Sequence, residues 1–206
     1  MTTRIVFFDG GDGTGKTTQI DLAKSVISKN GHSVYATRLM GGSDIGEALR
    51  TVMLSESKRP PETDMHMALA TYYALYDKLK SLHDVDIVLI DRSPLSIIAY
   101  QSYGSKIDLE LAKTQVDIVF SKLQPDLIIV YDAEASSLQT RREHRNNHQD
   151  TDYFESKSIQ FHQAVAEGYR IAAQDYGAKL INANQSVDEI HEQTLKLIEP
   201  LLKPTG

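Results

Sequence analysis

Short apolar runs alternate along the chain with longer segments in which apolar residues recur at helical spacing. Five runs are rich in β-branched residues and lack the alternation of half-exposed strands, so they predict strands covered on both faces. These runs are Ile5–Phe8, Ser33–Thr37, Ile87–Ile90, Leu127–Tyr131 and Lys179–Ile181. The succession of strand and helix predicts an α/β fold, with a parallel sheet between two layers of helices.

The amphipathic segments between the runs predict the helices. Ser186 followed by Glu189 is the pattern of a capping box, and Pro125 marks the end of the helix before the fourth strand. The predicted helices span residues 16–29, 44–55, 63–82, 94–103, 108–122, 134–145, 153–175 and 187–202. We therefore predict a single domain over residues 1–206, an ordinary length for one hydrophobic core.

Charge and composition argue against several classes of protein. The net charge of -6 does not favour non-specific binding to nucleic acid or to an anionic membrane. The chain has no cysteine, which excludes disulfides and thiolate metal sites and is compatible with a reducing cytoplasm. No apolar segment approaches the roughly 20 residues that cross a bilayer, and the first residues lack a signal-peptide pattern. We expect a cytoplasmic protein whose partners are neither nucleic acid nor membrane.

A phosphate-binding loop follows the first predicted strand. Residues 10–17 read GGDGTGKT and match the pattern G-x-x-x-x-G-K-[ST] between a strand and a helix. The glycines let backbone N–H groups point at phosphate oxygens, and the helix start adds partial positive charge. Lys16 supplies a full charge to the β- and γ-phosphates, and Thr17 offers its hydroxyl to Mg²⁺. The predicted nucleotide-binding residues are Gly10, Gly13, Thr14, Gly15, Lys16, Thr17 and Thr18.

An acidic and a basic residue follow the third predicted strand, in the stretch DIVLIDRSP. Ligands of open α/β sheets bind at the carboxyl ends of the strands. Asp91 there can hold Mg²⁺, and Arg92 can grip a phosphate with two parallel hydrogen bonds. The alternative interpretation is structural: Asp91 and Ser93 precede a helix, so they can also serve as a helix cap with a surface ion pair.

The polar, irregular stretch RREHRNNHQDTD predicts a mobile lid over about residues 141–152. Arg141 and Arg145 are four residues apart and share one face of a helix. Arginines in a lid can place positive charge on the equatorial oxygens of a transferring phosphoryl group. The alternative is an ordinary solvated run of charges, with Glu143 as a partner.

With these parts in place, the chain resembles the thymidylate kinase family of nucleoside monophosphate kinases over nearly its full length. The resemblance is carried by FFDGGDGTGKTTQ, TRLMGGSDIGEALRTVML, IDRSPLSIIAYQ, PDLIIVYD and the Arg-rich lid followed by DYFE. It implies transfer of the ATP γ-phosphoryl group to thymidine monophosphate with Mg²⁺, a homodimer, and a five-stranded sheet of order 2-3-1-4-5.

The resemblance also implies roles for individual residues. Asp12 falls where the family has a carboxylate near the acceptor sugar and the phosphates. Some members have an arginine next to it, but here that residue is Gly13, so the lid must supply the catalytic charge. The implied catalytic residues are Asp12, Lys16, Arg92, Arg141 and Arg145.

The acceptor side is implied in the same way. The resemblance gives Arg38 and Arg50 as acceptor-side arginines and Tyr72 as the ring that stacks on the base. It gives Tyr100 as the ring that favours deoxyribose and Gln101 as an amide near the base. The implied acceptor-binding residues are Asp12, Arg38, Arg50, Tyr72, Tyr76, Arg92, Tyr100 and Gln101.

Several positions depart from the family pattern. The family commonly has Arg-Glu-Pro-Gly-Gly where this chain has residues 38–42, RLMGG. Where the family has a base-reading arginine, this chain has Tyr76, which has one donor and no charge. Ser93 and Ile97 also replace residues common in the family. The sequence therefore predicts intact phosphate chemistry and altered base recognition, with thymidylate as the leading acceptor.

Two other functions remain open from the sequence. In a deoxynucleoside kinase the acceptor is a 5′-hydroxyl, which requires a carboxylate as general base. Asp91-Arg92-Ser93 is similar to a short motif of that group, whereas Gly41-Gly42 and Ala99-Tyr100-Gln101 favour the monophosphate kinase. The second alternative is a catalytically inactive nucleotide-binding switch, which the intact Lys16 and Arg92 argue against.

Overall fold

The fold is described from a computed structural model, which covers residues 3–55, 57–145 and 153–202, with backbone alone for 142–145. The described residues form one parallel sheet of five strands in the order β2-β3-β1-β4-β5, which confirms the predicted order. The strands are β1 (Arg4–Gly10), β2 (Val34–Arg38), β3 (Ile87–Asp91), β4 (Leu127–Asp132) and β5 (Lys179–Asn182).

Helices cover both faces of the sheet. Most of their bounds agree with the predicted segments to within a few residues. The helices are α1 (Lys16–Lys29), α2 (Asp44–Leu54), α3 (Pro61–Lys80), a π-helix (Ile97–Gly104), α4 (Leu109–Phe120), α5 (Ala135–Arg145), α6 (Ile159–Asp175) and α7 (Val187–Ile198). Among the described residues, no helix combines the length and the apolar character needed to cross a bilayer.

Two predicted helix bounds are wrong, and local geometry explains both. The helix predicted to begin at residue 153 begins at Ile159, because Ser158 caps it by accepting from the Phe161 backbone N–H. The helix predicted to reach 202 ends at Ile198 and continues as a 3₁₀ turn with Pro200 inside it. The capping box is confirmed: the backbone N–H of Ser186 donates to Glu189 Oε2 over 2.9 Å.

The core lies in two layers, one on each face of the sheet. Along β1, Val6 and Phe8 pack with α1 and α7, while Phe7 points to the opposite layer with α3, α4 and α6. β3 is buried on both faces from Ile87 to Ile90. The apolar runs are therefore continuous because each strand is covered on both sides.

The parallel register brings three strand ends to one edge of the sheet. Phe8 and Arg38 both pair with Asp91, and Gly10 pairs with Tyr131. The loop after β1 and the ends of β2 and β3 consequently meet at the carboxyl edge, where open α/β sheets bind ligands.

The π-helix occupies the segment for which the sequence predicted an ordinary helix over 94–103. It packs closely on α6: a Cβ at Gly168 would lie 2.9 Å from the Ala99 Cα, and one at Gly104 would lie 2.6 Å from the Phe161 ring. Tyr100 and Gln101 are buried within it. Single π turns are rare and occur frequently at functional sites.

Candidate active site

The phosphate-binding loop joins β1 to α1, as the sequence predicted. Gly10, Gly13 and Gly15 have φ angles of 134°, 92° and 89°, which are unfavourable for residues with a Cβ. At Gly10 a Cβ would also lie 2.4 Å from the Tyr131 carbonyl oxygen. Gly15 is the cap residue before α1, and no side chain among the described residues caps this helix start. The first N–H groups of α1 are therefore available to an anion.

Lys16 is buried and turns back into this loop. Its Nζ donates to the carbonyl oxygens of Gly10 and Gly11 over 2.9 and 3.0 Å. Burial and the nearby Arg92 guanidinium both lower the pKa of Lys16, against the raising effect of neighbouring aspartates. An anion held by the loop would lie against this ammonium group.

Thr17 and Asp91 lie next to each other although they are far apart in sequence. The Thr17 hydroxyl donates to Asp91 Oδ2 over 3.0 Å, which joins the start of α1 to the end of β3. In the described part of the chain, no three His, Cys, Asp or Glu side chains gather as a metal cluster. One carboxylate and one hydroxyl suit Mg²⁺, which is usually bound by few protein oxygens together with phosphates and water.

Arg92, Asp12 and Tyr100 form a largely buried polar group, in which Asp12 comes from the phosphate loop itself. Arg92 donates to Asp12 through Nη2, and its guanidinium lies 5.2 Å from the centre of the Tyr100 ring. The Tyr100 hydroxyl donates to the other Asp12 oxygen over 2.5 Å. Burial alone would raise the pKa of Asp12, but Arg92, Lys16 and the Tyr100 hydrogen bond hold this pKa well below its usual range. Asp12 is therefore ionised at neutral pH.

Arg38 and Arg50 lie on the opposite wall, on β2 and α2. Arg38 Nη2 contacts both Glu47 oxygens at 2.9 and 2.8 Å, and about half of each side chain is exposed. Arg50 Nη1 donates to the Met40 carbonyl oxygen over 3.2 Å. Hydrogen bonds from Arg38 and from the Gly42 backbone lower the pKa of Glu47. Arg38 is thus held by Glu47 on α2, whereas Arg50 is held by the backbone of the loop over residues 38–42.

Tyr72 and Gln101 line the same cavity, whereas Tyr76 lies one turn away. Tyr72 is buried, and its hydroxyl donates to the Ser93 carbonyl oxygen over 2.8 Å. The Tyr76 ring packs against the core, with Lys80 Nζ 5.0 Å and Lys122 Nζ 5.9 Å from its centre. Tyr76 is not one of the described residues that line the cavity. Whether it reads the base stays a prediction.

The predicted lid over 141–152 lies mostly outside the described residues. Arg141 is exposed and lines the cavity. The side chain of Arg145 is not among those described, so its predicted catalytic role stays a prediction. Phe154 and Glu155, which follow the lid, also line the cavity.

One cavity of about 1130 Å³ connects these groups. It exceeds the roughly 300–1,000 Å³ of a usual small-molecule site, so it has room for more than one ligand. Its walls come from the phosphate loop, the ends of β2 and β3, and helices α2 and α3. The predicted residues that line it are Asp12, Gly13, Gly15, Lys16, Thr17, Thr18, Arg38, Arg50, Tyr72, Asp91, Arg92, Tyr100, Gln101 and Arg141.

The sequence reasoning missed a buried cluster behind this cavity. Asp9, Ser93, Ser96 and Tyr169 are hydrogen-bonded to one another under the phosphate loop. From the sequence, Ser93 is a possible helix cap, a departure from the family pattern and part of an Asp-Arg-Ser motif, but not a predicted partner of Asp9. The available signal was Asp9 itself, because a carboxylate inside an apolar strand needs buried partners.

The parallel sheet and the phosphate loop between β1 and α1 define a P-loop nucleotide-binding fold. The family model described as thymidylate kinase matches residues 8–194. The chain belongs to the thymidylate kinase family.

Individual relatives support this membership. This chain is 32% identical to a thymidylate kinase of Maridesulfovibrio salexigens, over 91% of each chain. It is 30% identical to one of Caldanaerobacter subterraneus, over 98% of each chain. A thymidylate kinase of Dichelobacter nodosus is 32% identical, over 98% of this chain and all of the relative.

Proposed function

We propose that the protein transfers the γ-phosphoryl group of ATP to thymidylate and so makes thymidine diphosphate. The main observation in support is that one cavity is lined both by the phosphate loop with Lys16 and by the Arg92 guanidinium. Asp12 lies between these two cations and is ion-paired with Arg92. A donor and an acceptor phosphate held at these two positions would lie next to each other. Phosphoryl transfer depends mainly on such positioning and on charge stabilisation.

The donor side follows from the loop. ATP is bound by the backbone N–H groups between Gly10 and Thr18 and by Lys16. Thr17 and Asp91 would hold Mg²⁺, which supplies charge neutralisation at the β- and γ-phosphates when bound. Arg141 and Arg145 are the proposed source of further positive charge on the transferring group.

The acceptor side follows from the opposite wall. Arg92 with Arg38 and Arg50 binds the acceptor phosphate. Asp12 keeps Arg92 oriented through its ion pair and is itself held by the Tyr100 hydroxyl. The acceptor base lies beside Tyr72 and Gln101. A phosphate acceptor is already ionised and needs no general base, so the role of Asp12 here is orientation and charge.

The comparisons do not favour the two alternatives from the sequence, a deoxynucleoside kinase and an inactive switch.

We also propose one domain over 1–206, a cytoplasmic location and a homodimer, as the family resemblance implies. The neighbouring helices α3 and α4 carry Tyr73, Leu111 and Ile118, which are each exposed by about two fifths and suit an interface. Sedimentation at several concentrations tests the dimer.

The function is tested by offering the purified protein Mg-ATP with a panel of nucleosides and nucleoside monophosphates. ADP release and the identity of the product are followed. We expect a diphosphate product, with thymidylate as the best acceptor. A monophosphate made from a nucleoside would support the nucleoside kinase, and ATP binding without turnover of any acceptor would support the switch.

A further inference from the structure

Asp9, the residue before the phosphate loop, is fully buried and has no role in the function proposed above. Its Oδ1 accepts from the Gly10 backbone N–H over 2.9 Å and from the Tyr169 hydroxyl over 2.7 Å. Its Oδ2 accepts from the Ser93 backbone N–H over 2.9 Å and from the Ser93 hydroxyl over 2.6 Å. The Ser96 hydroxyl lies 3.0 and 3.1 Å from the two oxygens. Both oxygens of this buried carboxylate are therefore satisfied by neutral donors.

The Oδ2 side of Asp9 holds the backbone beside Arg92. Arg92 has a φ of 71°, a left-handed conformation that residues with a Cβ rarely adopt. Such a conformation persists only where the surroundings fix it. Two bonds flank it: Arg92 N–H donates to the Phe8 carbonyl oxygen over 2.7 Å, and the next N–H, that of Ser93, donates to Asp9.

The Oδ1 side of Asp9 holds the Arg92 side chain. Arg92 Nη1 donates to the Tyr169 hydroxyl oxygen over 3.2 Å, and this hydroxyl in turn donates to Asp9. The guanidinium thus has two fixed contacts, Asp12 through Nη2 and Tyr169 through Nη1. Neither Asp9 nor Tyr169 is among the described residues that line the main cavity. An effect of either residue on the acceptor would therefore be indirect, and the Arg92 guanidinium is the cationic group of the cavity that Tyr169 contacts directly.

We propose that Asp9 is a positioning residue for Arg92, acting on its backbone through Ser93 and on its guanidinium through Tyr169. The inference rests on the proposed function, because it assigns the acceptor phosphate to Arg92. It explains why the position carries a carboxylate. Only an acceptor on both oxygens can receive the Ser93 N–H and the Tyr169 hydroxyl together, whereas an amide would present N–H to one of these donors.

The test begins with Tyr169→Phe, which removes one hydroxyl and leaves the ring. Hydrogen bonds to charged groups imply a fall of about ten- to a hundredfold in kcat/KM for thymidylate. We expect the KM for ATP to change less than about twofold, because the hydrogen bonds that the Tyr169 hydroxyl makes among the described residues go to Asp9, Arg92 and Ser96 and not to the phosphate loop. Asp9→Asn is expected to give a larger fall in kcat/KM for thymidylate.

A double-mutant cycle separates positioning from general damage. In an Arg92→Gln background, Tyr169→Phe should have little further effect, because the group through which it acts is gone. Tyr131→Phe is the matched control: Tyr131 is equally buried, and its hydroxyl lies 2.9 Å from Thr194 Oγ1 on another element. This control is expected to keep wild-type kinetics.

Acceptor binding by calorimetry, without ATP, gives a readout that does not depend on turnover. The positioning role would be overturned if Tyr169→Phe lowered kcat/KM and acceptor affinity equally with and without Arg92. It would also be overturned if Tyr169→Phe lowered the melting temperature and left kcat/KM and the acceptor Kd unchanged. Failure of the wild type itself to bind and phosphorylate thymidylate would instead refute the proposed function. An active wild type with an unaffected Tyr169→Phe variant refutes the inference alone.

Discussion

Replacing Asp12 by asparagine tests whether the Asp12 carboxylate compensates the positive charges of Arg92 and Lys16 when no nucleotide is bound. The substitution keeps the size of the side chain and removes its charge. Asp12 is ion-paired with Arg92, accepts from the Tyr100 hydroxyl and lies near Lys16. Asp12→Asn therefore leaves two largely buried cations with less negative charge beside them.

The size of the effect follows from burial. Only 14% of the Arg92 side chain and 16% of the Asp12 side chain are exposed. Removing one partner of a buried ion pair costs about 3–5 kcal/mol, and asparagine keeps part of the hydrogen bonding, so we expect a loss of about 2–4 kcal/mol. The matched control is Asp132→Asn. Asp132 pairs with Arg170 near the surface, where 28% and 39% of the side chains are exposed, and such pairs contribute less than about 1 kcal/mol.

Urea unfolding followed by circular dichroism measures both variants. With a slope of about 2 kcal/mol per molar urea, Asp12→Asn should lower the midpoint by about 1–2 M, whereas the control should barely move it. An unchanged midpoint for Asp12→Asn at pH 7 would show that the carboxylate does not compensate the cations.

The stability that Asp12→Asn loses relative to wild type should also depend on pH. Because folding lowers the pKa of Asp12, its contribution to stability is full above the ordinary value of 3.8 and falls as pH drops below that value. The difference between wild type and Asp12→Asn should therefore shrink by about 1 kcal/mol between pH 7 and pH 3. A difference that grows in acid would contradict the assigned ionisation.

Three further substitutions test other parts of the site. Lys16→Ala should lower kcat at least about a hundredfold and leave the calorimetric Kd for thymidylate unchanged, because Lys16 serves the donor side; equal turnover would rule out this role. Gly10→Ala should abolish ATP binding in a titration and lower stability by more than about 1 kcal/mol, since its Cβ would meet the Tyr131 carbonyl oxygen at 2.4 Å. Tyr76→Arg should raise the preference for thymidylate over other monophosphates in a competition assay, and an unchanged profile would remove position 76 from base reading.

Much of the fold was predictable because its signals are local. The strands of an all-parallel sheet are continuous apolar runs, and the phosphate loop fixes where β1 ends and α1 begins. The sheet order came from resemblance rather than from any run of residues. The π-helix was not predictable, because its sequence, IIAYQSYG, fits an ordinary buried helix equally well.

The site was predictable where a motif is contiguous and not where it is assembled from distant residues. Lys16, Thr17 and Arg92 belong to short patterns that also determine their placement. The bond between Asp9 and Tyr169 joins residues 160 positions apart, and although Asp9 indicates a need for buried partners, the sequence does not identify Tyr169 as one of them. The sequence also did not predict that the Tyr72 hydroxyl donates to the Ser93 carbonyl oxygen inside the protein.

The π-helix makes the chain length between Ile97 and Gly104 critical. A π turn can be regarded as an α-helix that contains one additional residue. Deleting a single residue within it would remove this additional residue, and the segment would then wind as an ordinary, narrower α-helix. The wider winding determines where Gly104 meets the Phe161 ring and where Tyr100 and Gln101 line the cavity, so these three residues would shift relative to one another. Substitutions here change single contacts, whereas a change of length alters the winding of the whole segment.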